Sequence, residues 1–230
     1  MRTTWRGWLI CLGLGALTFA PPSVRAQGAV SGQVTLLEKP GAATTDLESA
    51  VVYLIPRDPA YEKLRTSKST IKMHDRDFAP PVTVMTTGST IRFENQDPFD
   101  HNAFSNTAGG NFDFGIADRG SSVAMKLKHA GVYPVFCNIH SRMAAFVIVV
   151  PTPYFTLAGS DGRFALNEIP AGRYTLVIWH QRGGELKQKL TVTGAGISGL
   201  AISLDARGFH KSEHKNKFGE EYKSESGERY

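Results

Sequence analysis

Apolar residues recur along the chain in short runs, and no stretch sustains the 3.6-residue period of a helix. Turn-forming residues such as Gly, Pro, Asn and Asp separate the runs. Short strands at this spacing are typical of β-sandwiches and barrels, so we predict an all-β protein. The predicted strands are Val30–Leu37, Ala50–Ile55, Thr70–Met73, Val82–Met85, Thr90–Glu94, Ser122–Leu127, Gly131–Phe136, Ala145–Val150, Tyr154–Leu157, Arg163–Leu166, Arg173–His180, Leu186–Val192 and Leu200–Leu204.

The first 26 residues have the features of a secretory signal. Arg2 and Arg6 precede an apolar stretch from Trp8 to Phe19. The segment ends in Val24-Arg25-Ala26, with small residues at the positions that a signal peptidase recognises. That stretch is short for a membrane span, and no later one approaches about 20 apolar residues. We therefore expect residues 1–26 to be a signal peptide and the mature protein to be periplasmic, without an integral membrane span. An uncleaved N-terminal anchor is the alternative.

The charge and the cysteines narrow the possible functions. The formal net charge is +5, but three of the arginines lie in the predicted signal and no concentrated basic face is evident. A nucleic-acid partner is therefore not expected. The chain has two cysteines, Cys11 within the signal and Cys137. The single thiol of the mature chain, in an oxidising compartment, is expected to be buried or bound to a metal.

A short loop after one predicted strand carries three soft or borderline metal donors, in the segment Cys137-Asn138-Ile139-His140-Ser141-Arg142-Met143. Alternate residues of a strand share one face, so Cys137 is expected to point inward with Tyr133 and Val135. A fourth donor, His101, follows an earlier predicted strand. Two imidazoles, a thiolate and a weakly bound thioether are the donor set of a blue copper site.

Each of these donors alone has an ordinary structural interpretation, as a core cysteine or methionine or as a surface histidine. Their combination favours one type 1 copper ion held by His101, Cys137, His140 and Met143. Zinc is the alternative metal, although structural zinc sites use more thiolates and rarely methionine. A catalytic cysteine–histidine pair is a further alternative, but no orienting partner is evident.

Several segments between residues 66 and 151 carry a resemblance to a known family. They are Phe78-Ala79-Pro80, Gly88–Asn95, His101-Asn102, Gly131-Val132-Tyr133 and Cys137-x-x-His140-x-x-Met143. With them, the domain that we place at residues 66–151 resembles the cupredoxins, the plastocyanin and amicyanin type of blue copper protein. The resemblance implies a Greek-key β-sandwich, a copper cofactor on the four donors and transient redox protein partners.

The same resemblance implies secondary roles for residues near the donors. Asn102 would brace the two ligand loops by hydrogen bonds. His140 would be the ligand whose edge reaches solvent and through which electrons pass. Phe99, Phe104 and Ala144 would form an apolar docking patch around it.

A second resemblance lies outside this domain. The segments Ser160–Leu166 and Ile169–Leu176 look like the carboxypeptidase regulatory-like, transthyretin-like β-sandwich, whose usual first strands occur far upstream, at Gly32-Gln33-Val34 and Ala50–Leu54. We therefore predict a small sandwich split into residues 28–56 and 154–205 around the inserted domain. An N-terminal extension with a separate C-terminal sandwich is the alternative. A glycan or a protein is a possible partner of this sandwich.

Two further segments have simple interpretations. Trp179 and His180 are expected to be a half-buried aromatic residue and a surface histidine at a strand end. Residues 207–230 are rich in Lys, Glu, Ser and Gly and are predicted to be a disordered charged tail. A weak surface metal site on His210 and His214 is the alternative for that tail.

These features together predict an exported one-electron carrier between redox proteins. A copper-handling protein, such as a chaperone, buffer or sensor, is the second hypothesis. A binding module with an accessory copper site is the third. An enzyme is not expected, because four protein ligands leave no open copper position for a substrate.

Overall fold

A computed structural model describes residues 26–58, 64–210 and 214–222. These ranges contain sixteen strands, one 3-10 helix and no α-helix, so the predicted all-β class is confirmed. The strands are β1 (Gln27–Leu37), β2 (Val51–Pro56), β3 (Lys68–His74), β4 (Asp77–Ala79), β5 (Val82–Thr86), β6 (Thr90–Asn95), β7 (His101–Ser105), β8 (Phe112–Ala117), β9 (Ser122–Lys126), β10 (Gly131–Phe136), β11 (Ala144–Val150), β12 (Phe155–Leu157), β13 (Arg163–Pro170), β14 (Gly172–His180), β15 (Gly184–Val192) and β16 (Ile197–Asp205), and the 3-10 helix is Leu47–Ser49.

The predicted signal peptide lies outside the described residues except for Ala26. Its cleavage and the periplasmic location stay predictions. Among the residues that the structure describes, no helix has the length and apolar character that a membrane crossing requires.

Strands from the two flanks of the chain form one sandwich, which we call the flanking sandwich. In its first sheet β1 lies between β13 and β16, and its second sheet has the order β12-β2-β14-β15. Because β12 pairs with β2, the chain leaves and re-enters this sandwich at neighbouring strands, a geometry that tolerates an inserted domain. The pairing joins both flanks as the split arrangement requires, while the exact domain bounds stay a prediction.

The remaining strands form the inserted sandwich. One sheet has the order β5-β11-β10-β7-β8 and the other has the order β4-β3-β6-β9. Between them lies an apolar core that includes Ile71, Phe93, Tyr133 and Val147. Cys137 and Met143 belong to the same buried cluster, so the inserted sandwich contains two of the predicted ligands within its core.

The two sandwiches pack face to face through sheets that are buried on both sides. In β11, Val147 and Val149 face the core of the inserted sandwich, whereas Ile148 and Val150 face the flanking sandwich. Strands covered on both faces are apolar without alternation, which explains the continuous apolar runs of β2, β11 and β14. The joining cluster consists of Val51, Tyr53, Val82, Ile148, Val150, Val177 and Trp179.

The end of β14 differs from the sequence-based expectation. Trp179 is buried in the joining cluster, with its ring 5.1 Å from that of Phe146. His180 is fully buried and bonds to the backbone carbonyl of Asp46 (3.0 Å) and to the backbone N–H of Arg182 (3.1 Å). The prediction of a surface histidine was wrong, because the loop before β2 folds over this strand end.

Candidate metal centre

Three of the four predicted donors meet at one end of the inserted sandwich. His101 opens β7, and Cys137 directly follows β10, the antiparallel neighbour of β7. His140 lies three residues further along the loop. The Cys137 Sγ atom is 4.0 Å from Nδ1 of His101 and 3.7 Å from Nδ1 of His140. One donor atom of each residue lies within 4.8 Å of the others.

These separations fit a single metal ion. Metal–nitrogen and metal–sulfur bonds of about 2.0 and 2.3 Å can together span a nitrogen–sulfur distance of up to about 4.3 Å. Both measured separations are below that limit, so one ion reaches the thiolate and either imidazole. Soft thiolate with imidazole suits copper and zinc, and calcium and magnesium prefer oxygen donors. The three side chains therefore form a possible metal site for a transition metal.

The Asp97 carboxylate fixes the orientation of His101. Nε2 of His101 donates a hydrogen bond to Asp97 Oδ2 at 2.7 Å, and both side chains are almost completely buried. A carboxylate only accepts, so the proton lies on Nε2 and Nδ1 presents its lone pair towards Cys137. Metal-bound histidines usually have such a partner on the second ring nitrogen.

Asp97 is itself held by backbone donors. The N–H groups of Asp75 and Arg76 donate to its carboxylate oxygens at 2.8 and 3.0 Å. Burial raises the pKa of Asp97, but the hydrogen bonds from Arg76, His101 and Asp75 outweigh it and hold the pKa below its ordinary value. Asp97 therefore stays ionised beside His101. Sequence reasoning missed this residue, although its position four residues before the histidine was a usable signal.

The ligand loop is closed by its own backbone. The N–H of Cys137 donates to the carbonyl of Met143, and the N–H of Met143 donates to the carbonyl of His140, both at 3.2 Å. The N–H of Ile139 points at the Cys137 sulfur, 3.4 Å away. Met143 is fully buried in the same apolar cluster as Cys137. The loop thus returns Met143 to the cysteine, and its role as a fourth ligand stays a prediction.

Asn102 links the two segments that carry the donors. Its Oδ1 accepts from the N–H of Asn138 at 3.3 Å, and its Nδ2 donates to Asp113 Oδ1 (2.8 Å) and to the carbonyl of Gly115 (2.6 Å). Burial raises the pKa of Asp113, but the hydrogen bonds from Lys217 and Asn102 outweigh this effect and hold the pKa below its ordinary value. The structure therefore shows the bracing contact that the resemblance implied.

His140 is the donor closest to the surface. It is half-buried, whereas His101, Cys137 and Met143 are fully buried. Around it lies a depression of about 340 Å³ lined by Asp75, Arg76, His140, Ser141 and Arg142.

The apolar surface beside His140 differs in part from the predicted docking patch. The Phe99 ring packs on both imidazoles, with centroids 5.2 Å from His101 and 5.8 Å from His140. Phe99 and Ala144 are half-buried, but Phe104 is 1% exposed and contacts the Phe136 ring. Phe104 therefore does not belong to an exposed patch, whereas Ile139, which precedes His140 in the chain, is 36% exposed.

Residues 214–222 lie against the outer side of the ligand loop, and we call this segment the strap. The His214 ring stacks on Phe136 at 4.4 Å, and the Tyr222 hydroxyl donates to the carbonyl of Cys137 at 2.5 Å. Lys217 donates through its backbone N–H to Asn138 Oδ1 (2.9 Å). The predicted tail thus includes a segment with specific contacts, while residues 211–213 and 223–230 lie outside the described residues.

No protein-family model and no curated protein matches the chain. Three solved structures are similar in part. The reduced form of an amicyanin variant is 17% identical, covers 36% of this chain and 82% of that chain, and has a TM-score of 0.34. A purple cupredoxin from Nitrosopumilus maritimus is 20% identical, covers 36% and 99%, and has a TM-score of 0.33. A copper-containing nitrite reductase from Thermus scotoductus SA-01 is 20% identical, covers 51% and 28%, and has a TM-score of 0.35.

These similarities are to cupredoxins over part of the chain. Because each TM-score is below 0.5, the proposed function rests on the residues of the site. The resemblance of the flanking sandwich to transthyretin-like domains stays a prediction, as do its glycan or protein partners.

Proposed function

We propose that the protein binds one type 1 copper ion through His101, Cys137, His140 and Met143 and carries single electrons between partner proteins outside the cytoplasm. The observation that supports this most directly is the position of the Cys137 thiol, which lies 3.7 and 4.0 Å from two imidazole nitrogens inside an apolar core. Bound copper would supply a one-electron couple between its +2 and +1 states.

The surroundings of the donors favour an electron carrier. His101 is locked by Asp97, and the ligand loop is closed by its own backbone bonds, so the donors are held in one arrangement. A carrier needs donors that do not move between its two oxidation states. His140 is the half-buried donor, and the half-buried Phe99 beside it offers a small apolar surface. Small surfaces of this kind suit the weak, transient encounters of redox proteins.

The same features disfavour a copper-handling protein and an enzyme. A copper chaperone or buffer must exchange its metal quickly, yet His101, Cys137 and Met143 are all 0% exposed. An enzyme needs a metal position that a substrate can occupy, and four protein ligands would leave none. We therefore propose a carrier without catalytic activity, with the features of residues 1–26 supporting export to the periplasm.

The test is the visible absorption spectrum of the protein after addition of one equivalent of Cu(II), beside a Cys137→Ser variant. We expect an intense thiolate-to-copper band in the wild type that disappears on reduction, returns on reoxidation and is missing in the variant. Weak ligand-field colour of equal strength in both proteins would contradict the proposal. A His140→Ala variant tests the second histidine, because it should lose the native band and recover it with added imidazole.

A further inference from the structure

We infer that Lys217 and Tyr222 of the strap are positioning residues for the metal centre, because together they clamp Cys137 and Asn138, the first two residues of the ligand loop. This inference rests on the proposed metal-binding function and assigns to it two residues that lie 74 and 79 positions beyond the last predicted ligand, Met143. The two residues would touch no metal. They would act through Cys137 and Asn138.

The peptide unit between Cys137 and Asn138 is held from both sides. Its carbonyl oxygen, on Cys137, accepts the hydroxyl hydrogen bond of Tyr222 at 2.5 Å. Its N–H, on Asn138, donates to Asn102 Oδ1 at 3.3 Å. Rotation of this peptide plane would break both bonds at once. The plane also sets the direction of the chain into Ile139, whose N–H lies 3.4 Å from the Cys137 sulfur.

Lys217 completes a closed ring of four residues. Its backbone N–H donates to Asn138 Oδ1 (2.9 Å), and its Nζ donates to Asp113 Oδ2 (2.7 Å). Asp113 Oδ1 in turn accepts from Asn102 Nδ2 (2.8 Å), and Asn102 Oδ1 accepts from the N–H of Asn138. The strap therefore joins the Asn102 brace at both of its ends, and the segment that carries His101 is tied to the segment that carries Cys137.

Partial burial gives these contacts more weight than ordinary surface bonds would have. The Lys217 side chain is 28% exposed and that of Asp113 is 37% exposed, so their ion pair is only partly screened by solvent. Tyr222 is half-buried, and the His214 ring covers Phe136 immediately before the cysteine. The strap thus shields the peptide that it holds, and a shielded hydrogen bond competes less with water.

The experiment compares Tyr222→Phe with Tyr174→Phe in the full-length protein. The Tyr174 hydroxyl also donates to a backbone carbonyl, that of Pro170 (2.7 Å), but in the flanking sandwich. The first readout is the amide hydrogen exchange of Asn138 in the metal-free protein. The second is the rate at which bound Cu(II) passes to a chelator, together with the energy of the thiolate band.

In Tyr222→Phe we expect the Asn138 amide to exchange about threefold to tenfold faster, the factor that one hydrogen bond of ordinary strength corresponds to. Copper release should accelerate by a similar factor and the thiolate band should shift. Lys217→Met keeps an unbranched side chain, one atom shorter, and removes the bond to Asp113. It should change both rates in the same direction. Tyr174→Phe should leave all three readouts at their wild-type values.

The outcomes separate this inference from the proposed function. Exchange and release rates in Tyr222→Phe and Lys217→Met that equal those of Tyr174→Phe would overturn the clamp while leaving the copper site intact. A wild type without a thiolate band would contradict the proposed function instead. The exchange rate of Asn138 would then still decide whether the strap holds the loop.

Discussion

Asp97→Asn tests the idea that a buried carboxylate prepares His101 for a metal. The carboxylate accepts three hydrogen bonds, from the N–H groups of Asp75 and Arg76 and from His101 Nε2. Asn has one acceptor oxygen and one amide donor at the same positions. If its oxygen replaces Oδ2, the amide faces the N–H of Asp75. If its oxygen replaces Oδ1, the bonds to Arg76 and His101 are lost.

Either orientation of the Asn side chain removes at least one charge-assisted hydrogen bond and sets two donors against each other. Hydrogen bonds to charged groups contribute about 1.5–3 kcal/mol each, so the free energy of unfolding of the metal-free protein should fall by about that amount. His101 also loses the carboxylate that holds its proton on Nε2. Removal of such a partner typically lowers metal affinity about 10–100-fold.

The assays are a competition titration with Cu(II) and a chelator and a denaturant melt of the metal-free protein. Asp161→Asn is the matched control, since the exposed Asp161 carboxylate in the flanking sandwich accepts one backbone bond, from Arg163 (3.0 Å), and otherwise forms only an exposed ion pair with the Arg163 side chain. The reasoning is refuted if Asp97→Asn lowers the unfolding free energy but changes copper affinity by less than about threefold. Asp97 would then support the loop without acting on the ligand.

Three further predictions concern the scaffold. Trp179→Ala leaves a cavity in the joining cluster and should lower the unfolding free energy by about 3–5 kcal/mol in a denaturant melt, with a smaller loss for Trp179→Phe. Gly162→Ala should lower the unfolding free energy by about 1–3 kcal/mol, because the φ of Gly162 is +76° and a Cβ would lie 2.1 Å from the Val34 carbonyl oxygen. Gly199→Ala is the control for backbone strain alone, because Gly199 has a similar φ of +72° but open space around its Cβ position. The hydrogen bond from Arg182 holds the pKa of Asp46 below its ordinary 3.8. The ionised Asp46 therefore stabilises the fold above pH 3.8, and this stabilisation disappears as the pH falls through the lowered pKa. In thermal melts between pH 6 and about 2, the melting temperature of Asp46→Asn should fall less steeply with acid than that of the wild type.

The sequence predicted the strands whose apolar pattern is continuous or alternating, and it missed three strands whose pattern is broken. The sequence of β7 resembles a loop because His101, Asn102 and Ser105 are polar. All three are nevertheless buried: His101 and Asn102 serve the site, and Ser105 bonds to the Thr107 hydroxyl (3.0 Å). In β8, Gly115 at a φ of +70° shifts the buried face, so that Phe112 and Phe114 are half-buried whereas Ile116 is exposed and Ala117 is buried. β4, at Asp77–Ala79, has only three residues and follows a turn.

The site itself was predictable where the donors have distinctive chemistry and spacing. His101, Cys137 and His140 carry that information in the sequence, and the structure brings them together. Of their supports, Asn102 was expected from the resemblance, whereas Asp97 was missed because its one signal, a position four residues before His101, is shared by ordinary loop acids. The strap was missed for another reason. Its contacts join residues 78 to 104 positions apart, and a polar segment without apolar periodicity gives no sign of where it packs.

The two supports of the metal centre should be coupled more strongly with metal than without it. Asp97 bonds to His101, whereas Tyr222 bonds to Cys137, and the two share no hydrogen-bond partner. In the metal-free protein the losses of unfolding free energy in Asp97→Asn and Tyr222→Phe should therefore differ from additivity only by the coupling between the adjacent His101 and Cys137 side chains. With metal bound, His101 and Cys137 would both coordinate the same ion. After one support is removed, the ligands can already adjust their positions around the ion. Removal of the second support should therefore lower copper affinity by less in the single variant than it does in the wild type. A double-mutant cycle measured by copper competition checks this. Fully additive affinity losses would mean that the two ligands are not held to a common ion, which would count against the proposed site itself.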